Sequence, residues 1–356
     1  MTCPRPVILT LAAAVLGGCG SDFHFYDRVD SEFDFRIFGG HSAHLHPAYV
    51  NGAKFTVGVE DDHGRDDEDF RDCELRSSDE DVFALGESRD DEHQVEAEAH
   101  ALSPGIAELE LIGPDGSVLA AHEIEVRLPD RVELGAAAPL FLGRKDVEAH
   151  VDHAQVLVEG LATFQVRYFD GDMQLAGSGA LAVRGEGSSV ERTVWGEERD
   201  WLRLHPSEPG EQAVELLAGG EPFTTITYDA VEDIAVADIE LHGDNESKAD
   251  DGDWLVVIAQ ALDDDGERIF GIDFDWQIAG IDQSETGDMY RYEFDRSQAK
   301  TAIARFDDLE VSAEIHADRG YVDSSNEAIG CSVGGRSGWA GLLVLVAACA
   351  RRRRAR

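Results

Sequence analysis

Apolar and polar residues alternate along most of this chain. In "KFTVGVE", Phe55, Val57 and Val59 fall on one side and the residues between them on the other. "FQVRYF" repeats the pattern with Phe164, Val166 and Tyr168, and "EVSAEIHA" with Val311, Ala313 and Ile315. "TTITYD" and "HEIEVRL" follow it too. A period of two is that of a strand with one face buried. Glycine and aspartate turns separate the runs, among them Pro104-Gly105 and Pro114-Asp115-Gly116, and helical periods are few. The pattern predicts an all-β chain of antiparallel sandwiches.

A weak repeat of about 100 residues, the size of one sandwich, divides the body. The first segment reads "ELRSSDEDVFAL", then "EAEAHALSPGIAELELIGPDGSVLAAHEIEV". The third contains "DWLVVIAQALDDDGERIFGIDFDWQI". Both resemble bacterial group 2 immunoglobulin-like domains. That resemblance implies tandem immunoglobulin-like β-sandwiches, with Trp276 as the core tryptophan of the third unit. The middle segment opens with "DRVELGAAAPLFL" and matches only towards its end, "PGEQAVELLAGGEPFTTITYD". The expected units are residues 23–128, 129–229 and 230–320, then a polar tether at 321–330.

The two ends differ from the body. Residues 1–18 carry Arg5 and an apolar run, Val7–Leu16, shorter than the ~20 residues a membrane-spanning helix needs. Leu16-Gly17-Gly18-Cys19 follows directly and resembles a bacterial lipobox. The resemblance implies a lipoprotein signal peptide and a diacylglycerol on Cys19. Gly20 stands where aspartate would signal inner-membrane retention. At the far end, Trp339–Ala350 would span about 18 Å as a helix, well under the ~30 Å hydrocarbon core. Gly330-Cys331-Ser332, Gly334-Gly335, this apolar run and Arg351–Arg354 together resemble the myxobacterial C-terminal sorting tail (MYXO-CTERM). Residues 331–356 are then expected to be a short helical sorting segment, removed near Cys331, with Gly330, Gly334 and Gly335 shaping the processing site. The implied address is the cell surface at the outer membrane.

Charge narrows the partners. The 356 residues carry 73 acids against 30 bases, a net charge of -43. Arg5, Arg336, Arg351, Arg352, Arg353, Arg354 and Arg356 all lie in the two ends, which hold no acid, so the body is more acidic still. Such a surface repels nucleic acid and favours solubility. Of five cysteines only Cys73 lies in the body, so no bridge can form within one unit, and Cys73 reads as a small buried hydrophobe.

Three clusters invite a site reading. His41, His44 and His46 share "HSAHLHPAYV". On a strand the last two face the same way, a spacing that can share a zinc or copper ion. His150 and His153 form a weaker pair. Acidic runs at 60–70, 243–254 and 263–267 raise calcium between sandwiches, but none has the acid spacing of an EF-hand loop before its glycine. No cofactor is otherwise implied. "AGSGA" places Ser178 between glycines without completing a nucleophile elbow. No HExxH, Walker or dinucleotide-binding motif occurs.

The sequence therefore predicts a non-enzymatic surface lipoprotein that spaces, scaffolds or adheres, held to the outer membrane and meeting an envelope protein or glycan. Two other readings stay open, a calcium-stiffened adhesin for glycans or cells and a hydrolase on the middle segment. Intact-mass measurement of native protein extracted from membranes is expected to show acylated Cys19 as the first residue and loss of the tail. A mass that includes Arg356, with an unmodified Cys19, would refute the address.

Overall fold

The computed structural model describes residues 23–28, 45–61, 70–90, 94–142, 147–194, 197–248, 252–293 and 300–315. Cys19, His41, His44, the tether, the tail and most of the 60–70 acidic run lie outside them. Among the described residues the chain is all-β, built as tandem immunoglobulin-like antiparallel sandwiches.

Nine strands form the first sandwich: β1 (Phe23–Arg28), β2 (Tyr49–Val50), β3 (Lys54–Asp61), β4 (Glu74–Ser77), β5 (Phe83–Leu85), β6 (Arg89–Asp90), β7 (Gln94–Ala101), β8 (Gly105–Ile112) and β9 (Val118–Arg127). One sheet runs β1-β3-β7-β5, with β6 also on β7, and the other runs β2-β9-β8-β4. All pairs are antiparallel except β2 with β9. The predicted alternation is present, with Phe55, Val57 and Val59 buried from one sheet and Ile124 and Val126 from the other. Tyr49 stacks on Phe55 at 4.2 Å between ring centres. Cys73 is buried in the same core.

The second sandwich repeats this plan. Its elements are β10 (Arg131–Ala136), α1 (Ala137–Leu142), β11 (His150–Val151), β12 (Ala154–Leu157), β13 (Ala162–Asp170), β14 (Met173–Leu175), β15 (Leu181–Arg184), β16 (Ser188–Val194), β17 (Glu197–Leu204), β18 (Gly210–Ala218) and β19 (Glu221–Val231). One sheet runs β11-β10-β13-β17-β16. The other contains β15-β18-β19-β12, and β12 lies parallel to β19 as β2 does to β9. The one-turn α1 follows β10 where the sequence reads Ala-Ala-Pro-Leu-Phe-Leu. Pro139 is tolerated so close to a helix start, where its missing N–H has no partner to lose.

The third comprises β20 (Asp238–Lys248), β21 (Gly252–Leu262), β22 (Arg268–Phe270), β23 (Asp275–Ile278), β24 (Ile281–Thr286), β25 (Met289–Glu293), β26 (Lys300–Phe306) and β27 (Leu309–Ile315). The sheet β24-β23-β26-β27 faces β20, β21 and β25. Trp276 on β23 is 1% exposed at the centre of this core, and its indole N–H donates to the Gly287 carbonyl at 2.8 Å.

The junctions differ from a string of separate units. Strand β12 also pairs in parallel with β22, so one sheet of eight strands crosses from the second sandwich into the third. Arg268 donates to the carbonyls of Glu148 and His150 across the same boundary. Phe164 meets Phe270 edge-on at 5.1 Å. Residues of α1 pack with Val256 and Ile258 of β21. Between the first and second sandwiches, Val50 N–H donates to Ala176 O at 2.9 Å and Lys54 N–H to Ser178 O at 2.8 Å. One apolar cluster runs through both cores, from Ala48 to Tyr228. Ser178 thus belongs to a junction rather than to a nucleophile turn.

Glycine is required where the backbones meet. Gly52 has φ +92°, and a Cβ there would sit 2.6 Å from Gly219 Cα. A Cβ on Gly160 would sit 2.2 Å from the Gly271 carbonyl oxygen. Because the cores are joined, heat should unfold the body in one calorimetric transition. Gly160→Val is expected to lower stability by about 1–3 kcal/mol through overpacking and to split that transition. Three transitions in the parent protein, or an unchanged trace in the variant, would contradict this coupling.

Candidate functional site

Two buried carboxylates organise the polar interior. Asp27 on β1 is fully buried. Its Oδ2 accepts the Tyr49 hydroxyl at 2.5 Å and the His46 backbone N–H at 2.9 Å, and lies 2.7 Å from His46 Nδ1. Burial first, and then the charge of Asp27, hold the Tyr49 phenol far above its ordinary range. Of the three histidines read as metal candidates, His46 is therefore engaged with Asp27, while His41 and His44 lie outside the described residues. Among the described residues no three histidine, cysteine or acidic side chains converge on a metal-binding arrangement.

Asp200 on β17 plays the corresponding part in the second sandwich. It is 2% exposed and accepts the Tyr168 hydroxyl at 2.6 Å. It also takes the backbone N–H groups of Gly179, Ala180 and Leu181, and pairs with Arg192. A buried carboxylate is tolerated when its oxygens are saturated with donors. Both aspartates tie a loop to a strand, and both are structural.

The acidic turn at 263–267 is likewise closed on itself. Asp263 Oδ1 accepts from the N–H groups of Asp265 and Glu267, and Oδ2 from Gln155 Nε2 at 2.8 Å. The Gln155 contact, and then the backbone N–H of Glu267, hold its carboxyl below the usual range.

A groove of about 380 Å³ opens in the second sandwich, where the chain crosses from β11 to β12 and so from one sheet to the other. Val132, Leu134, Leu204, Ile226 and Tyr228 are among the apolar and aromatic side chains that line it. These side chains belong to the shared core or pack against it. Arg131, Glu133, His150, Asp152 and His153 line it as well. His150 Nε2 lies 3.0 Å from Asp152, and His153 Nε2 lies 3.0 Å from Asp229. The two imidazoles thus face separate carboxylates rather than a common point. Arg131 is tied to Glu133 at 2.9 Å and lies 4.0 Å from the centre of the Phe169 ring. Sequence reasoning found the histidine pair but missed the groove, because β10, β12 and β19 meet only through long-range pairing.

No protein-family model matches the chain, and no curated protein does. Solved structures with similarity include domains 4–9 of the surface layer protein SbsC, at 11% identity and a TM-score of 0.33, over 83% of this chain and 47% of that one. FdeC, an Escherichia coli adhesin, aligns at 13% identity and 0.21, over 81% and 94%. Invasin, a bacterial integrin-binding protein, aligns at 13% and 0.21, over 76% and 58%. At such scores the fold of this chain rests on its own strand pairing.

One carboxyl has a titration that stability can report. Asp288, before β25, is pushed up to about 6, by burial first and then by the negative charge of Asp273. The folded chain therefore holds a proton on Asp288 more tightly than the unfolded chain. Its contribution weakens as pH rises from about 4 to about 6 and stays unfavourable above. Asp288→Asn is expected to stabilise the protein by about 1–2 kcal/mol at pH 7.5, with the gain vanishing below pH 4. Urea denaturation across pH reads this directly, and a pH-independent difference would rule it out.

Proposed function

We propose that this chain is a non-enzymatic lipoprotein of the cell surface, a stiff spacer and scaffold that presents its outer faces to an envelope protein, a glycan or another cell. Three units, 23–128, 129–229 and 230–320, form the display body. Cys19 is the lipid-bearing end, and the MYXO-CTERM-like tail with Cys331 is a sorting label.

The observation that carries this reading is the form of the junctions. A flexible array joins its units by solvated linkers. Here an eight-stranded sheet crosses one boundary and a common core crosses the other. Such joints resist bending because bending would break ladder hydrogen bonds and open apolar contacts. Stiffness suits a body that holds a surface away from its anchor. The excess of acids adds mutual repulsion between neighbouring copies.

Antibody raised against residues 23–320 is expected to label intact cells, and Cys19→Ala to shift the protein from the envelope fraction into the medium. Cells that label only after permeabilisation would overturn the reading.

A further inference from the structure

We propose that Asn51-Gly52, in the turn from β2 to β3, is a latent self-modification site. Closed by the first junction, it is inert. When that junction opens, the asparagine converts to aspartate or isoaspartate, and the product keeps the junction from closing again. Three observations carry this. Asn51-Gly52 is the one asparagine–glycine step in the chain, since Asn245 and Asn326 both precede glutamate. A glycine nitrogen, shielded by no side chain, attacks a neighbouring amide most readily. Asn51 is 3% exposed, and its Oδ1 has no hydrogen-bond partner among the described residues, so the fold keeps an amide there without using its oxygen as an acceptor. Both residues press on the second sandwich. A Cβ on Gly219 would sit 2.5 Å from Asn51 Nδ2, and one on Gly52 would sit 2.6 Å from Gly219 Cα.

The folded turn withholds what the reaction needs. The Gly52 N–H, whose proton must leave, donates to Ala101 O at 2.7 Å, and the Ala53 N–H closes the turn onto Val50 O at 3.0 Å. Gly52 sits at φ +92°, the left-handed value that the third residue of such a turn requires. Water, which takes the proton and later opens the ring, is excluded from a side chain this deeply buried. Once the turn is released, solvent removes the Gly52 amide proton and the nitrogen attacks Asn51 Cγ. A C–N bond forms, the Cγ–Nδ2 bond breaks, and Nδ2 leaves as ammonia. Water then adds to either carbonyl of the five-membered imide, so one water is consumed and one ammonia released. Aspartate would set a carboxylate where Oδ1 already lacks a donor. Isoaspartate would insert an extra backbone carbon into a turn without room for even a Cβ.

This latch is independent of the display role, because neither requires the other. Its test uses the full chain at mildly alkaline pH, folded in buffer and unfolded in urea, with peptide mass mapping of conversion at position 51. In urea, Asn51 is expected to convert faster than Asn245. In buffer, its conversion is expected to be slower by about 100-fold or more, because the reaction waits on rare opening. Gly219→Val, which wedges the first junction apart, is expected to raise the folded-state rate about 5-fold or more. If that variant does not fold, urea below the unfolding transition is expected to do the same for the parent chain. The converted chain, refolded from urea, is expected to melt below the unconverted chain. Asn51→Ser, which has no amide to lose, is expected to melt alike before and after the same ageing. Equal rates at Asn51 in buffer and in urea, no preference over Asn245, or a folded-state rate that opening does not raise would overturn the proposal. So would an unchanged melt of the converted chain, or an equal loss in Asn51→Ser.

Discussion

The body depends on a four-residue strand with both edges in use. β12 pairs in parallel with β19 on one side and with β22 on the other. A strand at a sheet edge normally exposes a row of unpaired donors and acceptors. Here the edge that would end the second sandwich begins the third. The side chains of β12 divide accordingly, with Val156 in the core shared by the first two sandwiches and Leu157 packed against the third. Neither sandwich can close without positioning the other, which makes the boundary a packed joint. Gly160 lies three residues beyond β12, so close to the backbone of Gly271 that a Cβ there would meet the Gly271 carbonyl oxygen, and the chain passes on to β13 with no room for a side chain at that point.

Much of this architecture is legible as alternation. Phe55, Val57 and Val59 point inward as read, as do Phe164, Val166 and Tyr168, and Trp276 is buried where the immunoglobulin-like resemblance put it. The illegible parts share one cause, which is dependence on distant residues. β2 and β12 are too short, at two and four residues, for a period to show. Gln165 and Phe169 are buried although alternation places them on the outer side of β13. Trp201 lies across from Gln165 in the ladder, and Phe141 of α1 packs over it. Nothing local announces either neighbour. The same holds for His46, whose partner Asp27 lies 19 residues earlier. Histidine spacing alone suggested a metal ligand, but the position of a buried carboxylate decides what the imidazole touches.

Charge acts on the surface and the interior in different ways. Many of the arginines sit opposite acids on neighbouring strands, as Arg76 does with Glu110, Arg184 with Glu215 and Arg305 with Glu310. These exposed pairs each contribute little, about 0–1 kcal/mol. Their stronger effect is on register, since a one-residue slip would set each of these arginines opposite an apolar residue and turn it to the other face. Asp27 and Asp200 show the opposite regime, where a few saturated hydrogen bonds fix loops against strands inside the core. The fold does not derive its stability from its large net charge. Among the described residues only Asp27, Arg199 and Asp200 are buried charged side chains, so the charge described stays largely in water.

That separation bears on how a surface this acidic could recognise anything. Diffuse negative charge attracts cations without choosing among them, and salt at physiological strength screens it within about 8 Å. Selectivity needs a place where charge meets a shape that water does not fill well. At the crossing from β11 to β12 a groove opens, lined by apolar side chains together with charged pairs. The crossing that builds the rigid joint therefore also opens the groove. Along one short segment, Val151 and Ala154 face the core while Asp152 and His153 face solvent. The residues that hold the sandwiches together thus leave a groove in which apolar side chains lie beside Glu133 and Asp152, whose carboxylates are already paired with Arg131 and Arg167 and with His150.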